Sequence, residues 1–243
     1  HLVSSTAPVT RIDDSNICLF WEQIGWFLIR NGNEIIVESK PGVAEDVIRI
    51  PLIGTVLAGL LCQRGRLVLH ASAVAIDNEA LVFLGWKGSG KSTTAAMLYQ
   101  RGHTMITDDI VVLENAASKP ISVVPGYPSS KLSPETVTSV LGDDPASLRP
   151  VHPETDKLFR PFSYNFLQGT APLKAIYVLK EGTDLLITRL DPQHALSALI
   201  ANTYLARYGR QLIQGEKAAT NFRQCSNIVN SVPVFRLDRP KSF

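Results

Sequence analysis

The segment from Gly85 to Ser92 reads Gly-Trp-Lys-Gly-Ser-Gly-Lys-Ser and matches the phosphate-binding pattern G-x-x-x-x-G-K-[ST] at every fixed position. Its glycines let the backbone adopt positive φ and bring successive N–H groups onto phosphate oxygens. Lys91 would place a point charge on the β- and γ-phosphates, and the Ser92 hydroxyl is the expected ligand of Mg²⁺. The motif, a Walker A sequence, therefore predicts a binding site for a nucleoside triphosphate.

Two adjacent carboxylates, Asp108 and Asp109, follow a predicted strand over residues 103–107. In a strand–loop–helix–strand unit, the carboxyl ends of parallel strands lie at one edge, so both groups are expected beside the γ-phosphate. One carboxylate can hold Mg²⁺, and the other can accept a proton from an attacking hydroxyl. The residues alone leave these two roles interchangeable, and a solvated turn after a strand is the competing interpretation.

The elements around the motif have the required order. The apolar run 80–84 predicts a buried strand directly before the loop, and residues 91–100 predict a helix that ends before Gly102. Residues 66–76 and 79–84 are expected to pair as a hairpin. Residues 115–172 are rich in proline and are expected to be mainly loop, with a short helix over 134–141. The remaining predicted elements are strands at 110–113, 175–179, 185–190 and 234–237 and helices at 192–208 and 218–231.

The first sixty or so residues predict a separate small unit. Residues 18–40 form a predicted hairpin around Asn31-Gly32-Asn33, and apolar spacing predicts a helix over 52–63 that stops at Gly65. We therefore expect an α/β fold with a small N-terminal α+β lobe (residues 1–65) and a catalytic domain with a P-loop core (residues 66–243).

Composition excludes several classes of function. The 243 residues carry a formal net charge of +2, with 45% apolar and 19% charged residues. This near-balance gives no electrostatic case for binding nucleic acid, and no apolar segment approaches the length of a bilayer span, so no membrane partner is expected. Cys18, Cys62 and Cys225 are far apart and lack metal-site spacing, which indicates a reducing, cytoplasmic setting.

Three blocks together resemble the HPr kinase/phosphorylase family, whose fold is related to that of phosphoenolpyruvate carboxykinase. They are Leu69-His70-Ala71-Ser72-Ala73-Val74, the loop 85–92, and Arg101-Gly102-His103 followed by the pair Asp108-Asp109. This match covers about residues 66–115. A weaker one, through 125–132 and 151–157, resembles a shorter branch of serine kinases in biosynthetic clusters for ribosomal peptides, including lasso peptides. Members of that branch phosphorylate the C-terminal serine of the precursor peptide.

The resemblance implies an ATP-dependent serine kinase that uses ATP and Mg²⁺ and acts on a precursor peptide. It implies that Asp108 is the general base, that Asp109 and Ser92 bind the metal, and that His70 lies near the phosphates. The implied ATP-binding residues are Gly85, Lys87, Gly88, Ser89, Gly90, Lys91, Ser92 and Thr93. The glycine-rich signature of true HPr kinase/phosphorylases is not visible, so neither phosphorylase activity nor HPr as a substrate is implied. HPr kinases form hexamers; a homo-oligomer fits the resemblance but is not required by it.

Four cations in the loop-rich middle, Lys131, Arg149, Lys157 and Arg160, are candidates to neutralise the γ-phosphoryl group or to bind a substrate carboxylate. Lys157 and Arg160 are the preferred two. Tyr204, Arg207 and Tyr208, on a later helix, are interpreted as surface and core residues.

Two other functions remain open at this point. A small-molecule P-loop kinase carries the same loop, although the His70 block and the aspartate pair argue against it. A binding module that uses ATP as a switch would also bind ATP and Mg²⁺ but would transfer nothing. The motifs N-K-x-D and L-S-G-G-Q are absent, which disfavours a GTPase and an ATP-binding-cassette subunit.

Overall fold

The structure is a computed structural model that describes residues 9–13, 15–115, 120–151, 155–208 and 215–240. It opens with an antiparallel sheet in the order β1-β2-β3-β4. Its strands are β1 (Val9–Ile12), β2 (Asn16–Trp21), β3 (Gly25–Arg30) and β4 (Glu34–Ser39). The predicted hairpin is present because Asn31 and Gly32 both adopt the positive φ that a tight turn requires.

The helix predicted over 52–63 begins earlier and is broken. Helix α1 (Glu45–Pro51) is followed by a wide turn, Leu52–Val56, and then by α2 (Leu57–Gln63). Gly54 lies inside the turn with non-helical φ −108° and ψ −117°. Pro51 has no N–H to continue the helical ladder, and glycine tolerates the irregular backbone that follows.

The central sheet contains nine strands in the order β5-β9-β10-β14-β7-β6-β8, with β16 beside β14 and β15 beside β16. The expectation of one strand over 66–76 was wrong. The chain breaks at His70-Ala71, so that β5 pairs with β9 while β6 forms the predicted hairpin with β7. The elements of this stretch are β5 (Leu67–Leu69), β6 (Ser72–Ile76), β7 (Glu79–Leu84), α3 (Lys91–Gln100), β8 (Thr104–Asp108) and β9 (Val111–Glu114).

The strand directions decide where the loop and the aspartates meet. Strand β6 is antiparallel to both β7 and β8, so β7 and β8 run in the same direction. Their carboxyl ends, which carry Gly85 and Asp108, therefore lie at the same edge of the sheet. Strand β14 is parallel to β7, and β16 is parallel to β14, so the ends of these strands reach that edge too.

The segment 115–172 contains more strand than predicted. Its elements are β10 (Ser122–Val124), β11 (Ser129–Leu132), α4 (Pro134–Thr136), β12 (Arg149–Pro150), β13 (Leu158–Pro161) and the start of β14 (Ala171–Glu181). β11, β13 and β12 form a separate three-stranded sheet. Helix α4 continues as a wide turn, Val137–Leu141, so the predicted short helix is present, and Ser133 caps it by accepting a hydrogen bond from the N–H of Thr136.

After β15 (Leu186–Arg189), the predicted helix over 192–208 is two helices. Helix α5 (Pro192–Ala201) ends at Asn202, and α6 (Tyr204–Arg207) begins anew, capped by Thr203. Helix α7 (Gly215–Ser231) and strand β16 (Val234–Arg239) follow. No helix among the described residues has the length and hydropathy needed to cross a bilayer.

Buried apolar side chains join the two predicted units. One cluster contains Phe27 and Val56 from the first sixty residues together with Tyr204 and Tyr208 from the α6 region. A second lies between the central sheet and helices α5 and α7. The architecture confirms the predicted α/β class, while the boundary between residues 65 and 66 stays a prediction.

Candidate active site

The loop 85–92, called the phosphate loop below, joins β7 to α3. Gly88 and Gly90 have φ of 86° and 85°, which turns the backbone as a phosphate cradle requires. Lys91 is buried, and its Nζ donates to the carbonyl oxygens of Gly85 (2.8 Å) and Trp86 (3.3 Å). Burial lowers the pKa of Lys91 to about 8, although the charges of Asp108 and Asp109 oppose the shift. The ammonium group is thus held within the loop to which it belongs.

A residue of the last strand also contacts the phosphate loop. Arg239 Nη2 donates to the carbonyl oxygen of Ser89 (3.1 Å) and, at 3.5 Å, to that of Gly90. Arg239 Nε and the Ser89 hydroxyl are buried and have no hydrogen-bond partner within the described part of the chain. Unsatisfied polar groups are uncommon in folded proteins, and both of these lie at the phosphate loop.

Asp109 is the centre of a cluster of polar side chains. Its Oδ1 lies 3.0 Å from His70 Nδ1 and accepts a hydrogen bond from the Tyr204 hydroxyl (3.2 Å). Its Oδ2 accepts from Lys131 Nζ at 2.9 Å. Because the neighbours of His70 Nδ1 here are acceptors only, this nitrogen carries the proton, and Nε2 keeps its lone pair.

The charges of this cluster shift two pKa values. Burial alone would raise the pKa of Asp109. The ion pair with Lys131 and the contact with His70 have the larger effect, and they hold the pKa of Asp109 well below its ordinary value. Burial lowers the pKa of His70, although Asp109 opposes the shift. At neutral pH, Asp109 is therefore a charged carboxylate and His70 a neutral imidazole.

Asp108 has a different set of partners. Its two carboxylate oxygens accept hydrogen bonds from the hydroxyls of Ser72 and Ser130, and Oδ2 also receives the backbone N–H of Lys131 at 3.4 Å. Ser72 lies on β6 next to β8, and Ser130 lies on β11. Both hydroxyls can rotate, so they can either donate to a carboxylate or accept from a neutral group in its place.

One cavity of about 550 Å³ collects most of the predicted site residues. They are His70, Lys87, Gly88, Ser89, Gly90, Lys91, Ser92, Thr93, Asp108, Asp109 and Lys157. Gly85 does not line the cavity. Its N–H donates to the side-chain oxygen of Asn202, and its carbonyl oxygen accepts a hydrogen bond from Lys91. The loop, the two aspartates and the histidine thus share one space, as the sequence predicted.

The structure does not bring Arg160 to this cavity. Its Nε pairs with Asp143 at 3.0 Å, and its guanidinium lies over the rings of Tyr99 and Phe162. A cation held between a carboxylate and two aromatic faces stabilises the local fold. The interpretation of Arg160 as a substrate-binding residue therefore finds no support in its placement.

Sequence reasoning missed Tyr204 and Arg207, which it interpreted as surface and core residues. Tyr204 is buried against Asp109, and Arg207 lines the cavity from helix α6 with its guanidinium 5.3 Å from the centre of the Tyr204 ring. Among the described residues, Arg207 has no carboxylate partner. No motif precedes either residue, because α6 reaches the site only through the fold of the central sheet.

The oxygen groups in the cavity fit Mg²⁺. Mg²⁺ usually takes one or two carboxylates, keeps several waters and shares phosphate oxygens with the nucleotide. Ser92, Asp108 and Asp109 supply such oxygens at one edge of the sheet. Among the described residues no group of three or more histidine, cysteine or acidic side chains forms an all-protein metal cage.

Comparison with known proteins supports the resemblance over part of the chain. A segment of 54 residues is 37% identical to the HPr kinase/phosphorylase of Caldicellulosiruptor bescii and covers 22% of this chain. A segment of 52 residues is 35% identical to the HPr kinase/phosphorylase of Lachnoclostridium phytofermentans and covers 21% of this chain. Each match spans only 17% of the relative's own length. The chain therefore resembles the HPr kinase/phosphorylase family over about a fifth of its length.

A solved structure shows a weaker similarity. The HPr(Ser) kinase/phosphatase from Coxiella burnetii aligns with 71% of this chain and 85% of its own, at 12% identity and a TM-score of 0.36. No family model matches the chain.

Proposed function

We propose that the protein is a kinase that transfers the γ-phosphoryl group of ATP, with Mg²⁺, to a serine hydroxyl of a peptide. The acceptor we propose is the C-terminal serine of a lasso-type precursor peptide, on the strength of the resemblance. The observation that carries the kinase assignment is the single cavity that holds Lys91 and Ser92 of the phosphate loop together with Asp108 and Asp109. One carboxylate can hold the metal, and the second supplies the proton acceptor that transfer to a hydroxyl requires.

The phosphate loop would bind the triphosphate through its backbone N–H groups, and Lys91 would exchange its carbonyl partners for phosphate oxygens. When bound, Mg²⁺ would neutralise the phosphate charge as it shifts toward the leaving oxygen. Asp109 is the proposed metal ligand, because its ion pair with Lys131 keeps it charged. Asp108, whose partners are hydroxyl and backbone N–H groups, is the proposed base.

In the transfer, the bond from the serine oxygen to the γ-phosphorus forms while the bond from that phosphorus to the β–γ bridging oxygen breaks. Asp108 takes the serine proton, and ADP leaves with the electron pair of the broken bond. Neutral His70 holds Asp109 in place through its Nδ1–H. Arg207, which lines the cavity beside Tyr204 and lacks a carboxylate partner among the described residues, is the proposed cation for the transferred group.

The test is mass spectrometry of serine-containing precursor peptides after incubation with ATP and Mg²⁺. The wild type is expected to add one phosphate. Asp108→Asn should lower the transfer rate by roughly a hundredfold to ten-thousandfold, because it removes the proton acceptor. ATP affinity should change little, since Ser72 and Ser130 can turn their hydroxyls toward the new amide.

Asp184→Asn, an exposed residue of the turn before β15, is the matched control and should transfer at the wild-type rate. Unchanged turnover in Asp108→Asn would remove this residue from the role of base. Release of ADP without a modified peptide would instead favour the switch function.

A further inference from the structure

The cavity has two unlike walls. One is the polar phosphate loop. The other comes from the N-terminal residues and is apolar, lined by Trp21, Ile24, Val47, Ile50 and Pro51. Ile24 and Pro51 are buried, whereas Trp21, Val47 and Ile50 are half-buried. Only Gln23 and Thr55 add polar groups to the part of this wall that the structure describes, and no charged side chain does. Ile50 lines the cavity rather than joining the apolar cluster of its own lobe.

The apolar wall lies on the side of the cavity that holds the carboxylates. A methyl group built on Gly54 would lie 3.2 Å from Lys131 Nζ and 3.7 Å from Asp109 Oδ2. The irregular turn after α1 therefore brings the backbone at Gly54 close to the side chains of Lys131 and Asp109. The other flank of the phosphate loop is formed by the ends of β14 and β16, with Lys180 and Arg239.

We propose that this apolar wall is the acceptor subsite and that it seats an apolar side chain adjacent to the phosphorylated serine. The inference rests on the proposed kinase function. In an in-line transfer, the attacking hydroxyl enters opposite the leaving oxygen, and the base must reach it, so the acceptor lies on the side of Asp108 and Asp109. The apolar side chains of this wall favour an aliphatic neighbour of the serine, because its burial against them removes apolar surface from water.

The experiment measures the binding of synthetic hexapeptides to the protein saturated with Mg²⁺ and the non-hydrolysable analogue AMP-PNP. Each peptide has a glycine background and ends in its one serine, and the residue before that serine is leucine, glycine, aspartate or lysine. The leucine peptides are expected to bind roughly ten times to a hundred times more tightly than the others, as burial of one aliphatic side chain provides.

Ile50→Thr and Ile36→Thr form a matched pair, since both make the same change in the same lobe. Ile36 lies on β4 and is 40% exposed, whereas Ile50 lines the cavity. Ile50→Thr should reduce the preference for leucine at least about threefold, and Ile36→Thr should leave it unchanged. Both variants should bind AMP-PNP with wild-type affinity, which also shows that they are folded.

Equal affinities across the panel, no binding of any peptide, or a leucine preference that survives Ile50→Thr would each overturn the inference. Weaker AMP-PNP binding by Ile50→Thr, without an effect on peptides, would assign the wall to the nucleotide instead and would also overturn it. A separate phosphate-transfer assay on the same peptides tests the kinase function. Leucine preference without transfer would sustain the subsite and reject the proposed function.

Discussion

The ion pair between Lys131 and Asp109 should stabilise the fold independently of any ligand. We expect Lys131→Met to lower the free energy of unfolding, because it leaves a partly buried carboxylate without its cationic partner. Only 24% of the Lys131 side chain and 25% of the Asp109 side chain are exposed. Removing one partner of a fully buried pair costs about 3–5 kcal/mol. Because about a quarter of each side chain is exposed and Asp109 keeps its contacts with His70 and Tyr204, we expect Lys131→Met to cost about 2 kcal/mol.

The matched control is Lys174→Met, which breaks the pair with Glu79. These side chains are 57% and 41% exposed, so the same substitution should cost less than about 0.5 kcal/mol. Urea unfolding curves measure both values. A double-mutant cycle with Asp109→Asn should show that the two changes are not additive, since the second removes the charge that the first leaves unpaired.

The pH dependence of the Lys131→Met effect has a definite sign. The pKa of Asp109 is lower in the folded protein than in the unfolded chain, so the stabilisation is fully present above the ordinary pKa near 4. It is lost as the pH falls through the lower pKa of the folded state. The difference between wild type and variant should therefore be largest near neutral pH and shrink as the pH falls toward the lower pKa of the folded wild type. Equal costs for Lys131→Met and Lys174→Met, or strict additivity in the cycle, would refute the reasoning.

Two further outcomes follow from groups described above. For the proposed transfer, Arg207→Gln removes a cation that lines the cavity and should slow the reaction by roughly tenfold to a thousandfold. The melting temperature should stay within about 1 °C, because the side chain is exposed. A normal rate in a peptide phosphorylation assay would contradict this. Burial raises the pKa of the Cys225 thiol to about 12. Iodoacetamide at pH 8 should therefore leave this thiol unmodified until urea unfolds the protein, which peptide mass spectrometry would show. Rapid alkylation of the native protein would contradict the burial of Cys225.

The parts of the fold that local sequence determines were predictable. The hairpin around Asn31-Gly32, the phosphate loop and helix α3 each depend on neighbouring residues whose φ preferences or spacing are visible in the chain. Asp108 and Asp109 could be placed because the direction of a strand after such a helix follows from a general rule of connection.

The parts that depend on distant partners were not predictable. Residues 66–76 form an apolar run, and nothing in its sequence indicates a break at His70-Ala71. The first part of the run pairs with β9 and the second part with β7. Tyr204 lies 95 residues from the carboxylate to which it donates, so its sequence context resembles that of any helical tyrosine. The position of Arg160 outside the cavity could not be predicted for the same reason. The aromatic ring and the carboxylate that hold its side chain are brought together only by the fold.

The contact from Arg239 to the carbonyl oxygen of Ser89 joins residues 150 positions apart. During synthesis on the ribosome, β7 and the phosphate loop emerge well before β14 and β16. Until β16 docks, the loop lacks the guanidinium group of Arg239 and β14 lacks its parallel partner on the side away from β7. The phosphate loop therefore reaches its final geometry only after a strand 150 residues further along the chain has docked.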